Sequence, residues 1–384
     1  MSSARLVFVN GKGGVGKTTS SISMALWLAS KGFNTLLVST DPAASIGDSL
    51  NMPIGSEVIP VKEIDNLWAI EVDGRYEYKK LWTYIKKNAK TFDIERFLPE
   101  NGAPGTTEMA ALFRAITFLY DMKYDVIIVD TPPTGHTLDM LRLPQTLKET
   151  MDSIKSIIKS LSAWKDLITG RKKDATDKRL NSLIGCVEHI AQKMADPEIT
   201  QFNLVSTAEF MSLREELRAY NELSSYGIHV KNVILNKIQP VNTDECPFCM
   251  AKREQHEYYI QMMHDQFDNK GVDIHLVNDN PKEIVGIPKL QEIGRTIMHQ
   301  ITNLDIKKVF RVKAMNGEYV VWTELPWLDP QYLEFNIDNN VLYMTVNYGM
   351  HENVTNAMSF PTAISNVVVI NDNGKLGLKL KRVN

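Results

Sequence analysis

Short, mainly apolar runs mark the chain at 6–9, 36–40, 124–130, 202–206 and 230–236. Most of them end at Asp or Asn, which punctuate strand ends. Runs of this length without alternation fit strands buried on both faces. The stretches between them, such as 18–30 and the segment opening Ala208-Glu209-Phe210-Met211-Ser212-Leu213, read as amphipathic helices. Repeated strand–helix alternation predicts an α/β fold with a doubly wound, mainly parallel sheet. Over 145–200 the rhythm becomes helical: Met151, Ile154, Ile157, Ile158, Leu161, Trp164, Leu167 and Ile168 recur at that spacing. A Lys/Asp-rich break at 171–178 precedes a second such segment with Leu180, Leu183, Ile184, Val187, Ile190 and Met194. This helical insertion reads as two helices packed on the α/β body. Beyond about Ile306 the period falls to two, in runs at 309–313, 319–323, 332–337, 341–346, 367–370 and 375–380. Asn, Asp, Gly and Pro separate these runs, which predicts an antiparallel β-sandwich of ~75 residues. The expected domains are therefore 1–304 and 305–384.

The 384 residues suffice for a large body and a smaller second domain. A formal net charge of −3 gives no bulk attraction to nucleic acid, and no nucleic-acid partner is expected. Lys86-Lys87 and Arg171-Lys172-Lys173 are short clusters that read as solvated helix ends or loops. The chain enters a core strand almost at once, so no leader peptide is expected. No apolar run approaches ~18 residues, so no spanning helix is expected either. These features point to a cytoplasmic protein.

The first apolar run leads into Asn10-Gly11-Lys12-Gly13-Gly14-Val15-Gly16-Lys17-Thr18-Thr19. Glycines here permit a tight turn whose backbone N–H groups surround phosphate oxygens. The helix that follows aims its N-terminal dipole at the same anion. This is a phosphate-binding loop: Lys17 is expected to reach the β- and γ-phosphates of ATP and Thr18 to ligate Mg²⁺. Asp41 follows the second run and is the candidate for positioning the attacking water. Asp48 is a helix cap or a supporting carboxylate. Asp130 ends the third run and fits the carboxylate that orients Thr18 or holds Mg²⁺ through water. The loop Thr131-Pro132-Pro133-Thr134-Gly135-His136-Thr137-Leu138 is placed to follow the nucleotide state. His136 reads as a coupling residue rather than a base. Asn236 ends its run on the ligand side, where an amide can recognise adenine.

Together, 11–18, Asp41-Pro42-Ala43 and 130–138 resemble the arsenical-pump and guided-entry (tail-anchored protein targeting) ATPase family, within the deviant P-loop ATPases. The loop Pro104-Gly105-Thr106-Thr107-Glu108 is also similar. That resemblance implies a P-loop NTPase fold and a Mg²⁺-dependent ATPase working as a homodimer, with a tetramer left open. It implies that Lys12 reaches the partner's nucleotide and joins Lys17 in stabilising charge. It also implies an adenine contact at Asn236 and a mobile helical region at 145–200 forming a groove for hydrophobic clients. Tail-anchored membrane proteins would be those clients, with a membrane receptor and transient membrane association. The chain departs from the family at Ala44, where His is usual, and at Asp139, where Arg is usual. The stretch 277–286 replaces the family's usual second adenine-side pattern. Glu324-Leu325-Pro326-Trp327-Leu328, Phe360-Pro361 and Asn373-Gly374-Lys375-Leu376 resemble the α-crystallin-like domain of small heat-shock proteins. An arsenite efflux subunit, a general ATP-regulated holdase and a nucleotide-binding regulator without turnover remain as other readings.

Cys246-Pro247-Phe248-Cys249 offers two soft ligands at zinc spacing. Two thiolates do not complete a tetrahedral site, and Cys186 stands alone. Either His256 or His264 joins them within one chain, or a two-fold partner supplies the same pair. A redox pair and an inert pair are the other possibilities. The targeting family uses such a pair at its dimer interface, which implies Zn²⁺ shared between two subunits.

Overall fold

The computed structural model describes residues 6–43, 46–88, 100, 106–121, 123–132, 192–240, 246–301, 310–315, 317–323, 333–346, 354–372 and 375–383. The expectations for Ala44, 101–105, 133–139, 145–191, Cys186 and 324–328 lie outside them. Two compact units are present: Met1–Ile116 with Val126–Asp305, and Thr117–Asp125 with Ile306–Asn384. The second unit takes in 117–125, a segment within the first expected domain.

The first unit holds an eight-stranded sheet. Its strands are β1 (Leu6–Asn10), β2 (Thr35–Ser39), β3 (Ile59–Pro60), β4 (Leu67–Glu71), β5 (Val126–Asp130), β6 (Thr200–Thr207), β7 (Val230–Ile238) and β8 (Asp273–Asn278). The order is β3-β4-β2-β5-β1-β6-β7-β8, parallel except for β3 against β4. Chain direction across the sheet reverses at β1, between β5 and β6. The carboxyl ends beside such a switch point form the ligand crevice of an open α/β sheet. Asn10, Asp130 and the turn after β2 are brought there for that reason. β1, β2 and β5 are buried at every position, as their apolar runs require. Phe8 and Phe202 are register partners whose rings stack at 4.5 Å. β3, β4 and β8 were not among the expected strands. β8 alternates buried and exposed residues along the sheet edge, so it carries no continuous apolar signal.

The helices are α1 (Lys17–Ser30), α2 (Ile46–Leu50), α3 (Gly74–Asn88), α4 (Thr106–Thr117), α5 (Phe210–Ser225), α6 (Pro247–Phe267) and α7 (Ile287–Gln300). Among the described residues, none is long and apolar enough to cross a membrane.

A polar chain crosses strands β6, β7 and β8. Gln201 Nε2 and Asn232 Nδ2 both donate to Asn203 Oδ1, at 3.0 and 2.7 Å. The His275 Nε2–H donates in turn to Asn232 Oδ1 at 2.7 Å. Burial holds the His275 imidazole below its ordinary pKa. His256, whose Nδ1 accepts from the Gln239 N–H, is lowered mainly by burial as well. In both cases the unfolded chain binds the proton more readily. The stability each contributes is complete above the unfolded value of ~6.5 and is lost as pH falls through the folded one. Denaturant midpoints are therefore expected to drop between pH ~7 and ~5, less steeply in His275→Gln. An equal slope in that variant would remove His275 as a source.

The second unit contains β9 (Phe310–Met315), β10 (Glu318–Thr323), β11 (Leu333–Asp338), β12 (Val341–Val346), β13 (Val354–Ser359), β14 (Ile364–Asp372) and β15 (Lys375–Arg382). They form two antiparallel sheets, β14-β15-β10-β9 and β11-β12-β13. β10 alternates partly exposed and buried residues, the period-two rhythm of its sequence. Tyr319, Val321 and Leu378 from one sheet and Leu342 and Met344 from the other share a single core, as in a β-sandwich. β13 is an unexpected strand; Val-Thr-Asn-Ala-Met-Ser is largely polar, and Met358 from it packs on that core. The nucleotide motifs all belong to the first unit. Removing 305–384 is accordingly expected to leave ADP affinity within ~2-fold, by the near-additivity of independent regions. Equilibrium titration checks this, and loss of ADP binding would tie the β-rich segment to the first unit's core.

Candidate active site

The loop between β1 and α1 is held by its glycines and by groups on neighbouring strands. Gly16 lies at φ +101°, and a Cβ there would strike the Asn236 amide. Gly11 packs on the Val205 carbonyl with no room for a side chain. α1 begins at Lys17, so its first free N–H groups face the loop's concavity. A cavity of about 430 Å³ opens there, lined by Gly13, Gly16, Lys17, Thr18, Thr19 and Asp41, and on its far side by Asn236, Lys237, Asn278, Asp279 and Ile284.

Lys17 is buried, and its Nζ donates to the Lys12 carbonyl at 3.2 Å. Burial lowers its pKa, against the opposing charges of Asp130, Asp41 and Glu216. Thr18 Oγ1 donates to Asp130 Oδ2 at 2.7 Å, and Ser21 Oγ to Asp130 Oδ1 at 3.2 Å. Asp130 is wholly enclosed; burial pushes its carboxyl up to about 6, while Thr18, Lys17 and Ser21 pull it down. A hydroxyl and a carboxylate converging at the start of α1 are hard oxygen donors of the kind that suit Mg²⁺ beside a phosphate chain. Thr18 and Asp130 thus fit that ion, which when bound would polarise phosphoryl oxygens.

Asp41 stands at the cavity rim. Its Oδ1 accepts from the Ala43 N–H at 2.9 Å, which shapes the turn after β2. Asn236 lines the cavity and also braces the loop. Its Nδ2 donates to the Val15 carbonyl at 2.9 Å and its Oδ1 accepts from the Lys237 N–H at 2.9 Å. One N–H and one lone pair of the amide remain for a base. Asp48 lies in the first turn of α2.

Lys12 is not among the residues that line this cavity. Its Nζ pairs with Glu215 Oε1 of α5 at 3.0 Å, and the lysine side chain is 42% exposed. Sequence reasoning missed Glu215 and its buried neighbour Glu216, whose carboxyl is raised well above the usual range, chiefly by burial. It also missed Ser21 and Lys237. The one available signal was the Asn-Lys pair at the end of a run beside the loop.

Cys246 and Cys249 open α6. The Cys249 N–H donates to Cys246 Sγ at 3.4 Å. Hydrogen bonds from the Cys249 thiol and backbone lower the Cys246 pKa. Two soft, accessible sulfurs on one helical turn fit half of a tetrahedral zinc site. No cluster of three or more His, Cys, Asp or Glu occurs among the described residues. His256 is seven residues beyond Cys249, ~10 Å along the helix. His264 pairs with Asp268 at 3.0 Å.

A phosphate loop at the switch point of a doubly wound sheet, with Lys17 inside it and the Thr18–Asp130 pair beneath, defines a P-loop nucleoside triphosphatase. Comparison with known proteins narrows the class. The profile of the anion-transporting ATPase family matches residues 4–299, and the chain belongs to that family. It is similar to "ATPase ASNA1 homolog 2" of Paramecium tetraurelia, at 30% identity over 311 residues covering 77% of this chain and 94% of that protein. "ATPase get3" of Schizosaccharomyces japonicus is 27% identical over 306 residues, covering 77% and 93%. "ATPase GET3" of Eremothecium gossypii is 32% identical over 292 residues, covering 71% and 82%. The chain is an ATPase, and its β-sandwich lies outside the family match.

Proposed function

We propose that this ATPase is a homodimeric targeting factor that binds hydrophobic segments of tail-anchored membrane proteins and releases them through ATP hydrolysis. The observation that carries the reading is Lys12. It sits in the phosphate loop yet does not line that loop's own cavity, and its side chain is 42% exposed, so a second subunit could reach it. ATP would draw Lys12 from Glu215 to the partner's nucleotide and close the dimer. Lys17 and the partner's Lys12 would stabilise phosphoryl charge while Asp41 orients water. Closure would assemble an apolar groove for the client, and hydrolysis would open it. The similarity to relatives named ASNA1 and GET3 ATPases supports this cycle. The protein would work in the cytoplasm and visit a membrane receptor at release. Zinc held by Cys246 and Cys249 of both subunits would keep them joined as their nucleotide faces move.

A second reading, an ATP-regulated holdase, is favoured by the β-sandwich, whose likeness to α-crystallin domains includes Phe360-Pro361. Its sheet edges offer sites for strand addition. Recovery of bound proteins from ATP- and ADP-loaded forms separates the two. Enrichment for C-terminal membrane anchors is expected in the ATP form; a mixture of unfolded soluble chains would favour the holdase.

A further inference from the structure

Adjacent side chains on a strand point to opposite faces. At the end of β7 they do not. Asn236 Nδ2 donates to the Val15 carbonyl, and Lys237 Nζ donates to the Gly14 carbonyl, each at 2.9 Å. Two neighbouring residues thus grip two successive carbonyls of the phosphate loop. The backbone makes this possible. Lys237 sits in the left-handed region at φ +57°, and the β7–β8 register shifts between Leu235 and Ile238. A side chain with a Cβ enters that region at a cost, and such costs collect where function requires them.

In a trans peptide the carbonyl of one residue and the N–H of the next point in opposite directions. Holding the Gly14 and Val15 carbonyls toward β7 therefore turns the N–H groups of Val15 and Gly16 away from it, into the curve of the loop. We propose that Lys237 is a positioning residue for nucleotide binding, which with Asn236 preorganises the loop N–H groups for phosphate oxygens. The proposal rests on the assignment of this loop as the nucleotide site. Preorganised donors bind charge without first reorienting, so losing the grip weakens phosphate affinity.

The test compares Lys237→Met, Lys237→Gly and Lys237→Arg in the full chain, with ADP and adenosine as probes. Met keeps the stem without the donor. Gly removes the donor and suits the left-handed backbone, so this variant is expected to melt at or above the wild-type temperature. The Kd for ADP is expected to rise about tenfold in Met and Gly, the size of losing a charged hydrogen bond. Arg is expected to stay within about threefold of wild type because it keeps a donor. Adenosine, without phosphates, is expected to change less than ~2-fold, and the ATPase defect to fall on KM more than kcat. Unchanged ADP affinity in both Met and Gly would overturn the proposal. So would an equal loss for adenosine, which would place Lys237 against the base. Wild-type protein that binds no ADP would instead defeat the assignment of the loop itself.

Discussion

Asp41→Asn is expected to lower ATP turnover by at least ~10²-fold while ATP still binds, the low end for losing a positioned base. The turn explains why the effect is chemical. Asp41 Oδ1 accepts from the Ala43 N–H, and an Asn carbonyl can accept the same bond. The turn after β2 should survive, and with it the cavity rim. What disappears is the negative charge beside the space for phosphate, where Lys17 and Asp130 already interact electrostatically with Asp41. Steady-state hydrolysis and ATP titration on one preparation read the two halves of the claim. Near-normal hydrolysis would exclude Asp41 as the main water-positioning group. The same variant tests the role of Lys12. Mixed with Lys12→Ala subunits, it forms heterodimers in which a trans arrangement puts both defects in one site and neither in the other. Hydrolysis should then recover in part. A strictly cis arrangement leaves each subunit defective, so verified heterodimers without recovery would reject the trans role.

The site was legible in sequence where one residue type alone serves the chemistry. A glycine at φ +101°, a lysine inside the loop and a hydroxyl at the helix start leave little choice at Gly16, Lys17 and Thr18. Asp130 was legible because a carboxylate after a fully apolar run cannot be an ordinary core residue. The contacts that support these groups were not. Lys237 is exposed, and nothing in its sequence setting distinguishes it from other surface lysines or announces its left-handed backbone and its bond to the Gly14 carbonyl; Glu216 reads as one more charge on an amphipathic helix. Lys12 shows the same limit: the family resemblance assigned it to a partner's nucleotide, whereas its partner within this chain is Glu215 of α5. The fold followed a similar rule. Interior strands announced themselves by continuous burial, while β8 and β13 were hidden by the polar residues that sheet edges tolerate.

Replacing Cys246 and Cys249 together by Ser is expected to abolish zinc binding and stable dimers, with wild-type protein carrying one zinc per two chains. Each chain offers two sulfurs, half of the donors a tetrahedral zinc site takes. The pair sits on the first turn of α6, joined by the Cys249 N–H to Cys246 Sγ bond. The hydrogen bond between the two thiols lowers the Cys246 pKa and raises that of Cys249, so Cys246 is the first of the pair to offer a thiolate. Neither histidine weighed for a single-chain site is well placed. His256 lies ~10 Å further along the helix, with its Nδ1 accepting from Gln239. His264 lies beyond it, against Asp268. Tetrahedral coordination would then be reached if a two-fold axis brought the same turn of a second copy alongside. Phe248, between the two cysteines and 75% exposed, would be covered by the same contact. Metal analysis with native mass measurement gives the stoichiometry directly. Zinc on an isolated monomer would reject the shared site. Ser variants that remain dimeric with undiminished affinity would show that the subunits are held together by other surfaces.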